Sequence, residues 1–299
     1  MIVLVVGYGS IGKKHCKILN QIKKIKKIFV LTKQKIPNYL YRCNNLSSIK
    51  KINPDYIIIS SQTKKHYENL RYLNNILSNK IILVEKPLFE KYHKFKKLKN
   101  KVFVGYNLRF HPVIDKIKKI IKNKKIYSIN SFCLSNLKKW RKGRVYSQSS
   151  SAKKSEGGGV ILDLSHEFDF ISWIFGKMNL IKSINKKLSN LKINTEDYLS
   201  LISNTEKKIF IQINLNYYSL LNVRKIYIDG KDFSIFGDLN NNILHYKTNQ
   251  KNKKFSFKKF KIINTYKIMH NKILNKSFED ICSFNDGKNI MKFINQLKK

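Results

Sequence analysis

Ile2-Val3-Leu4-Val5-Val6-Gly7-Tyr8-Gly9-Ser10-Ile11-Gly12 decides the fold of this 299-residue chain. An apolar run without alternation, ending at a glycine, reads as a strand buried on both faces, as in parallel sheets. The glycines that follow have the GxGxxG spacing of a turn leading from a strand into a helix. Gly7 permits a tight turn, Gly9 lets the backbone approach a diphosphate, and Gly12 allows a helix to pack closely on the strand. Ser10 and Ile11 lie within that turn, beside the helix N-terminus whose unpaired N–H groups and positive dipole end favour phosphate. Gly7, Gly9, Ser10, Ile11 and Gly12 are therefore expected to bind a dinucleotide.

Working outward, a helix is expected over 15–24, then strands over 27–32 and 55–60. A helix over 67–77, a strand over 81–84, a helix over 89–99 and a strand over 102–105 follow. Alternating strands and helices imply βαβ units with right-handed crossovers. Beyond about residue 123 strands succeed one another at 126–134, 198–203, 208–218, 225–228 and 232–236, which suggests a mostly antiparallel sheet. One helix over 158–175 interrupts them, the lysine-rich stretch 251–261 reads as an exposed hairpin, and two helices flank Asn285-Asp286-Gly287. The fold class is thus α/β: an N-terminal Rossmann dinucleotide-binding domain (1–122) and a C-terminal α+β domain on a mostly antiparallel sheet (123–299).

A Rossmann domain that selects NAD commonly carries an acid at the end of its second strand. Here Leu31-Thr32-Lys33-Gln34 occupies that place, with no acid between Asn20 and Pro54. Thr32 and Lys33 are expected at the adenosine ribose. NAD and NADP both remain open, and Lys33 could pair with a 2′-phosphate.

The net charge of +43 raises the question of a nucleic-acid partner. Of 61 basic residues, however, only Arg42, Arg71, Arg109, Arg141, Arg144 and Arg224 are arginine, and the lysines are spread from end to end. Nucleic-acid surfaces favour the arginine fork and concentrate their charge. No nucleic-acid partner is expected, although the charge should steer anionic ligands inward. Cys16, Cys43, Cys133 and Cys282 form no CxxC pair, so neither zinc nor a disulfide framework is indicated. No apolar run reaches membrane length, and a cytoplasmic protein without a membrane partner is expected.

Further motifs carry a resemblance. Ser60-Ser61-Gln62-Thr63-Lys64-Lys65-His66, Glu85-Lys86-Pro87, Gly105-Tyr106-Asn107-Leu108-Arg109-Phe110-His111-Pro112, Gly157-Gly158-Gly159-Val160-Ile161-Leu162-Asp163 and Asp286-Gly287 occur in that order. The set resembles the Gfo/Idh/MocA oxidoreductases, named in part from glucose–fructose oxidoreductase and inositol dehydrogenase. Gln62 stands where the family often has proline. The family's Asp-x-x-x-His is one residue shorter, at Asp163-Leu164-Ser165-His166; on one helix, residues three apart still share a face. Trp140 to Tyr146 resembles a branch associated with surface-polysaccharide and nonulosonic-acid sugars.

The resemblance implies an NAD(P)-dependent dehydrogenase or reductase acting at a secondary hydroxyl or keto carbon of a sugar derivative. Lys86, His166 and Asp163 are then catalytic: His166 exchanges the hydroxyl proton, Asp163 orients its ring and Lys86 polarises the oxygen. Ser61, His66, Glu85 and Lys86 fall beside the cofactor, with His66 either structural or adjacent to it. Arg109 is expected to bind substrate or to pair with an acid. Trp140 and Tyr146 are candidates for sugar contact or for packing. No metal is implied, and a homodimer or homotetramer is. Two other readings stay open: a cofactor-binding regulator without turnover, and a relative that uses NAD transiently for hydrolysis or elimination.

Overall fold

A computed structural model describes every residue except Lys96, Arg141, Lys142, Arg144 and Lys299. The chain divides into two compact units, each described by itself: Met1–Tyr106 with Tyr266–Met291, and Asn107–Thr265 with Lys292–Lys299.

The first unit holds β1 (Ile2–Val6), α1 (Ser10–Leu19), β2 (Lys27–Leu31), β3 (Tyr41–Cys43), α2 (Ser48–Ile52), β4 (Tyr56–Ile59), α3 (His66–Ile76), β5 (Ile81–Val84) and β6 (Lys101–Val104). Its strands form one parallel sheet in the order β3-β2-β1-β4-β5-β6. Val3, Leu4, Val5 and all of β4 are fully buried, as continuous apolar strands require. The sequence order reverses at β1, so the carboxyl ends of β1 and β4 mark the crevice where such sheets bind ligands.

In place of the helix expected over 89–99, the described residues of that stretch form no helix or strand, and Lys96 lies outside them. Asn74 and Asn100 anchor its end. Both are buried; Asn74 donates to the Lys97 carbonyl and accepts from the Lys99 amide, while Asn100 accepts from the Lys80 amide and donates to the Leu77 carbonyl. These side chains tie the end of the stretch to the turn between α3 and β5, and the Lys99 N–H bonds a side chain rather than a helical carbonyl.

The second unit contains α4 (Pro112–Ile120), β7 (Ile126–Asn136), α5 (Val160–Asp163), α6 (His166–Phe175), β8 (Met178–Lys186), β9 (Tyr198–Thr205), β10 (Phe210–Asn216), β11 (Tyr218–Gly230), β12 (Phe233–Asp238), β13 (Ile243–Thr248) and β14 (Asn252–Ser256). The sheet runs β14-β13-β12-β11-β7-β10-β9-β8, antiparallel except where β10 meets β7. Strand β8, hidden in a lysine-studded sequence, is an addition to the expected set. One face is core, with Ile129, Leu199, Leu201, Ile211, Ile213 and Leu215 buried. On the other, Phe132, Leu134, Val223 and Tyr227 stay at least partly exposed.

The observed division falls earlier than the expected boundary at 122. Helix α4 belongs to the second unit because Gly237 on β12 leaves room for Val113 and Ile117, whose side chains lie about 3 Å from where a Cβ would stand. The final helices, α7 (Ile263–Leu274) and α8 (Phe284–Leu297), lie largely in the first unit rather than in a C-terminal domain. They are separated at 275–283, not at Asn285-Asp286-Gly287. Ser283 and Asp286 instead cap α8 reciprocally, each backbone N–H bonded to the other's side-chain oxygen. Gly287 lets the helix settle against Val104 and Leu88.

His111 caps α4, its Nδ1 accepting the Val113 N–H at 3.3 Å. Burial, with the Arg224 charge adding to it, pulls the ring's pKa down to about 4. Protonation therefore favours the unfolded chain, whose histidine titrates near 6.5. The stability held by this ring is complete above pH 6.5 and is lost as pH falls towards 4. Between pH 7 and 5 the loss from His111 should be about 2 kcal/mol, since each pKa unit is worth about 1.4 kcal/mol. Urea unfolding at the two pH values should show it, and His111→Asn should flatten that part of the slope while keeping a cap acceptor.

Candidate active site

In the first unit the glycine turn has the three properties expected of it. Gly7 has φ +96°, open to few other residues, and a Cβ there would meet Ser61 backbone at 2.7 Å. A Cβ on Gly12 would collide with the Gly7 carbonyl oxygen, so α1 can sit this close to β1 only as glycine. Gly9 is exposed and a Cβ on it would meet nothing within 4 Å. That emptiness lies above the N-terminus of α1, whose residues Ser10 and Ile11 are exposed and half-buried. The cradle fits a diphosphate: room at Gly9, free N–H groups and positive dipole. The helix begins at Ser10, earlier than the expected residue 15, as this site needs.

At the end of β2, Thr32 Oγ1 accepts the Gln34 N–H and Lys33 is exposed. Sequence reasoning missed Arg42. From β3 its guanidinium donates to the Thr32 carbonyl at 2.7 Å and the Gln34 carbonyl at 2.9 Å, fixing the loop that holds Lys33. The signal was present, since Arg42 is a rare arginine among lysines.

At the end of β5, Glu85 is buried, Lys86 is half-buried and the Lys86–Pro87 peptide is cis. His66 is also buried, with its ring nitrogens 3.1 Å from the Ser61 and Pro87 carbonyls. Burial lowers its pKa, so the ring is neutral and donates to one carbonyl at a time. His66 ties together the loops carrying Ser61 and Lys86.

The second unit assembles the other candidates. The expected single helix over 158–175 is two, interrupted at Leu164-Ser165, so Asp163 closes α5 and His166 opens α6. The shared-face argument for the pair therefore does not apply. Asp163 instead accepts from the Tyr217 hydroxyl at 2.6 Å. Tyr217, fully buried between β10 and β11, has its pKa pushed well up by burial and by Asp163, so it stays a donor. Trp140, 37% exposed, meets the Tyr217 ring edge-to-face at 5.1 Å. Glu196 lies nearby, its carboxyl accepting from Ile161 N–H, and burial raises its pKa. Tyr217 and Glu196 have no motif in the sequence and were missed. Arg141, Lys142 and Arg144, in the stretch after Trp140, lie outside the described residues.

Two further candidates are held by neighbours. Arg109 is 3% exposed and grips Asp169 through Nε and Nη2, the shortest contact being 2.7 Å, while its guanidinium covers Trp173. It pairs with an acid. Tyr146 accepts the Lys192 N–H through its hydroxyl, a packing role for that oxygen. Among the described residues no group of three His, Cys, Asp or Glu could hold a metal ion.

Family models match both parts of the chain. Residues 1–103 match one described as an oxidoreductase family with an NAD-binding Rossmann fold, and residues 114–237 match the GFO/IDH/MocA C-terminal domain. The chain belongs to the Gfo/Idh/MocA oxidoreductase family. Its first unit is accordingly an NAD-binding Rossmann domain, and the protein is an oxidoreductase. Among curated protein sequences none matches significantly. Solved structures show the same fold at low identity. Levoglucosan dehydrogenase in complex with NADH is 14% identical, with TM-score 0.84 over 100% of this chain and 96% of that one. UDP-N-acetylglucosamine 3-dehydrogenase from Acidithiobacillus ferrooxidans is 14% identical, with TM-score 0.79 over 100% and 96%. The WlbA dehydrogenase from Bordetella pertussis, in complex with NADH and UDP-GlcNAcA, is 14% identical, with TM-score 0.78 over 99% and 95%. As a Gfo/Idh/MocA protein the chain keeps the family's Glu-Lys-Pro at the end of β5, while the shortened Asp163–His166 interval coincides with the break between α5 and α6.

Proposed function

We propose that this protein oxidises a secondary hydroxyl, or reduces the corresponding ketone, on a sugar or sugar derivative. The observation that carries the reading is the open glycine cradle at Gly7, Gly9 and Gly12, with Lys86 at the end of a strand of the same sheet. A bound nicotinamide dinucleotide supplies the hydride chemistry, and the protein supplies position and charge. Lys86 donates to the substrate oxygen, and His166 holds or returns its proton. Asp163, held by the Tyr217 hydroxyl, lies in the same unit as His166. Two of the structural relatives are dehydrogenases of levoglucosan and of UDP-N-acetylglucosamine, which favours a sugar-type substrate here. Surface-polysaccharide or nonulosonic-acid sugars are the class we favour, in the cytoplasm; among the described residues no helix is long and apolar enough to cross a membrane.

For the cofactor we favour NADP. No carboxylate follows β2 to repel a 2′-phosphate, and Arg42 and Lys33 bring cations to the same loop. An arginine near that loop end suits the extra phosphate. Calorimetry should find NADP bound more tightly than NAD, and Arg42→Ala should reduce that ratio by about tenfold. A ratio unmoved by the substitution removes Arg42 from the assignment.

We further propose a homodimer built on the open face of the second unit's sheet. Phe132, Leu134, Val223 and Tyr227 line a partly exposed groove there, with Asn130, Lys225 and Asp229 among them, and grouped apolar side chains at a surface favour a partner. Light scattering should return about twice the 35.3 kDa chain mass, and Val223→Glu should shift the population to monomer.

For the chemistry, Lys86→Ala and His166→Asn should each lower turnover by about 100-fold or more, the usual worth of a positioned acid or base. Cofactor affinity should change far less for His166→Asn. Near wild-type turnover by Lys86→Ala with the true substrate would defeat its role.

A further inference from the structure

Beneath the cofactor end of the first unit runs a chain of four buried side chains from four different elements. Tyr56 (β4), His270 (α7) and His15 (α1) are fully buried, and Glu85 at the end of β5 is 6% exposed. Tyr56 Oη lies 3.0 Å from His270 Nδ1, His270 Nε2 lies 2.8 Å from His15 Nδ1, and His15 Nε2 lies 2.9 Å from Glu85 Oε1.

The direction of the hydrogen bonds follows from the far end. Among the described residues His270 is the hydroxyl partner of Tyr56, and a buried O–H left unbonded costs about 1–3 kcal/mol. Tyr56 therefore donates, and His270 Nδ1 accepts. Burial holds the His270 pKa well down, so the ring is neutral and carries its proton on Nε2. That proton goes to His15 Nδ1, which leaves His15 Nε2–H to donate to Glu85. A doubly protonated His15 would reverse the chain and orphan the tyrosine proton. The polarity is set, and it ends on a carboxylate acceptor.

Glu85 also accepts the Lys86 backbone N–H at 3.3 Å through Oε2. Among the described residues no lysine or arginine forms an ion pair with it, and the His15 ring beside it is neutral because its Nδ1 accepts from His270. The other titratable groups facing the cluster are Lys14, Tyr266 and His66, the first and last with pKa lowered by burial, the tyrosine's raised by it. A buried negative charge thus stands at the end of β5 without a full cationic partner, a situation that favours the arrival of positive charge.

Resting on the proposed cofactor reading, the strand order says which part of the cofactor arrives there. Adenosine goes to the end of β2 and the diphosphate to the β1–α1 turn, so the nicotinamide half extends to the other side, towards the ends of β4 and β5. The nicotinamide ring is cationic when oxidised and neutral when reduced. We propose that the Tyr56–His270–His15 relay holds Glu85 as a carboxylate that makes the protein bind the oxidised cofactor preferentially. Tyr56, His270 and His15 are positioning residues; Glu85 is the discriminating charge.

The test measures dissociation constants for oxidised and reduced NAD and NADP with wild type and Glu85→Gln. The substitution should weaken the oxidised form about tenfold relative to the reduced form. Equal loss for both forms, or no loss in either, overturns the proposal. Wild-type protein that binds neither form refutes the cofactor reading itself, a separate failure that removes the proposal too. Independently of the variant's folding, nitrogen-15 NMR of histidine-labelled cofactor-free wild type should show His15 protonated on Nε2 and bare on Nδ1. A proton on Nδ1 overturns it.

Discussion

The close approach of Gly12 to the Gly7 carbonyl oxygen governs the first unit. No side chain fits between them, so α1 lies directly on the end of β1 and its N-terminus opens onto the crevice. Everything proposed for the cofactor depends on this contact. His15, one turn further along the same helix, is brought under the sheet by it and reaches Glu85. One packing constraint therefore sets both where phosphate can approach and how the nearby buried charge is held.

The second constraint is the management of scarce acids. The chain has 18 acidic residues against 61 basic ones, yet several of those acids are buried. Glu167 pairs with Arg224 at 2.7 Å and Asp169 with Arg109. Asp197 takes three bonds from the Leu188 and Ser189 backbone and the Ser189 hydroxyl. Charge at the surface is expendable; inside, each carboxylate needs its partner. The two arginines inside are forks matched to carboxylates, which a lysine would not replace. Composition alone hid this, because lysine dominates every count.

Much of the first unit was legible because its signals are local. A glycine turn after an apolar strand, and strands alternating with helices, need no knowledge of distant residues. The absence of a helix among the described residues of 89–99 was not legible, since the end of that stretch is anchored by Asn74, which lies in another element. The break at Leu164-Ser165 was also concealed, because Asp163 and His166 sit in an apolar run that reads as one helix. Of the candidate site residues, Gly7, Gly9 and Gly12 lie at the passage from β1 into α1, and Lys86 follows β5. Tyr217, Glu196 and Arg42 act through tertiary neighbours, and Arg109 turned out to be held by one. His15 carried no pattern beyond its helix; its meaning comes from His270, which lies 255 residues away.

That distance has a consequence for how the molecule comes into being. The Rossmann sheet is finished by residue 104, but the unit that contains it is closed by residues 266–291. During synthesis the ribosome must release residues 107–265, most of the second unit, before His270 and the start of α8 can close the first. Until then His15 lacks the ring that completes its bonding. Domains that fold as they emerge do so from the amino terminus; here the earlier-made half must wait for the last-made helices, and the order of maturation runs against the order of translation.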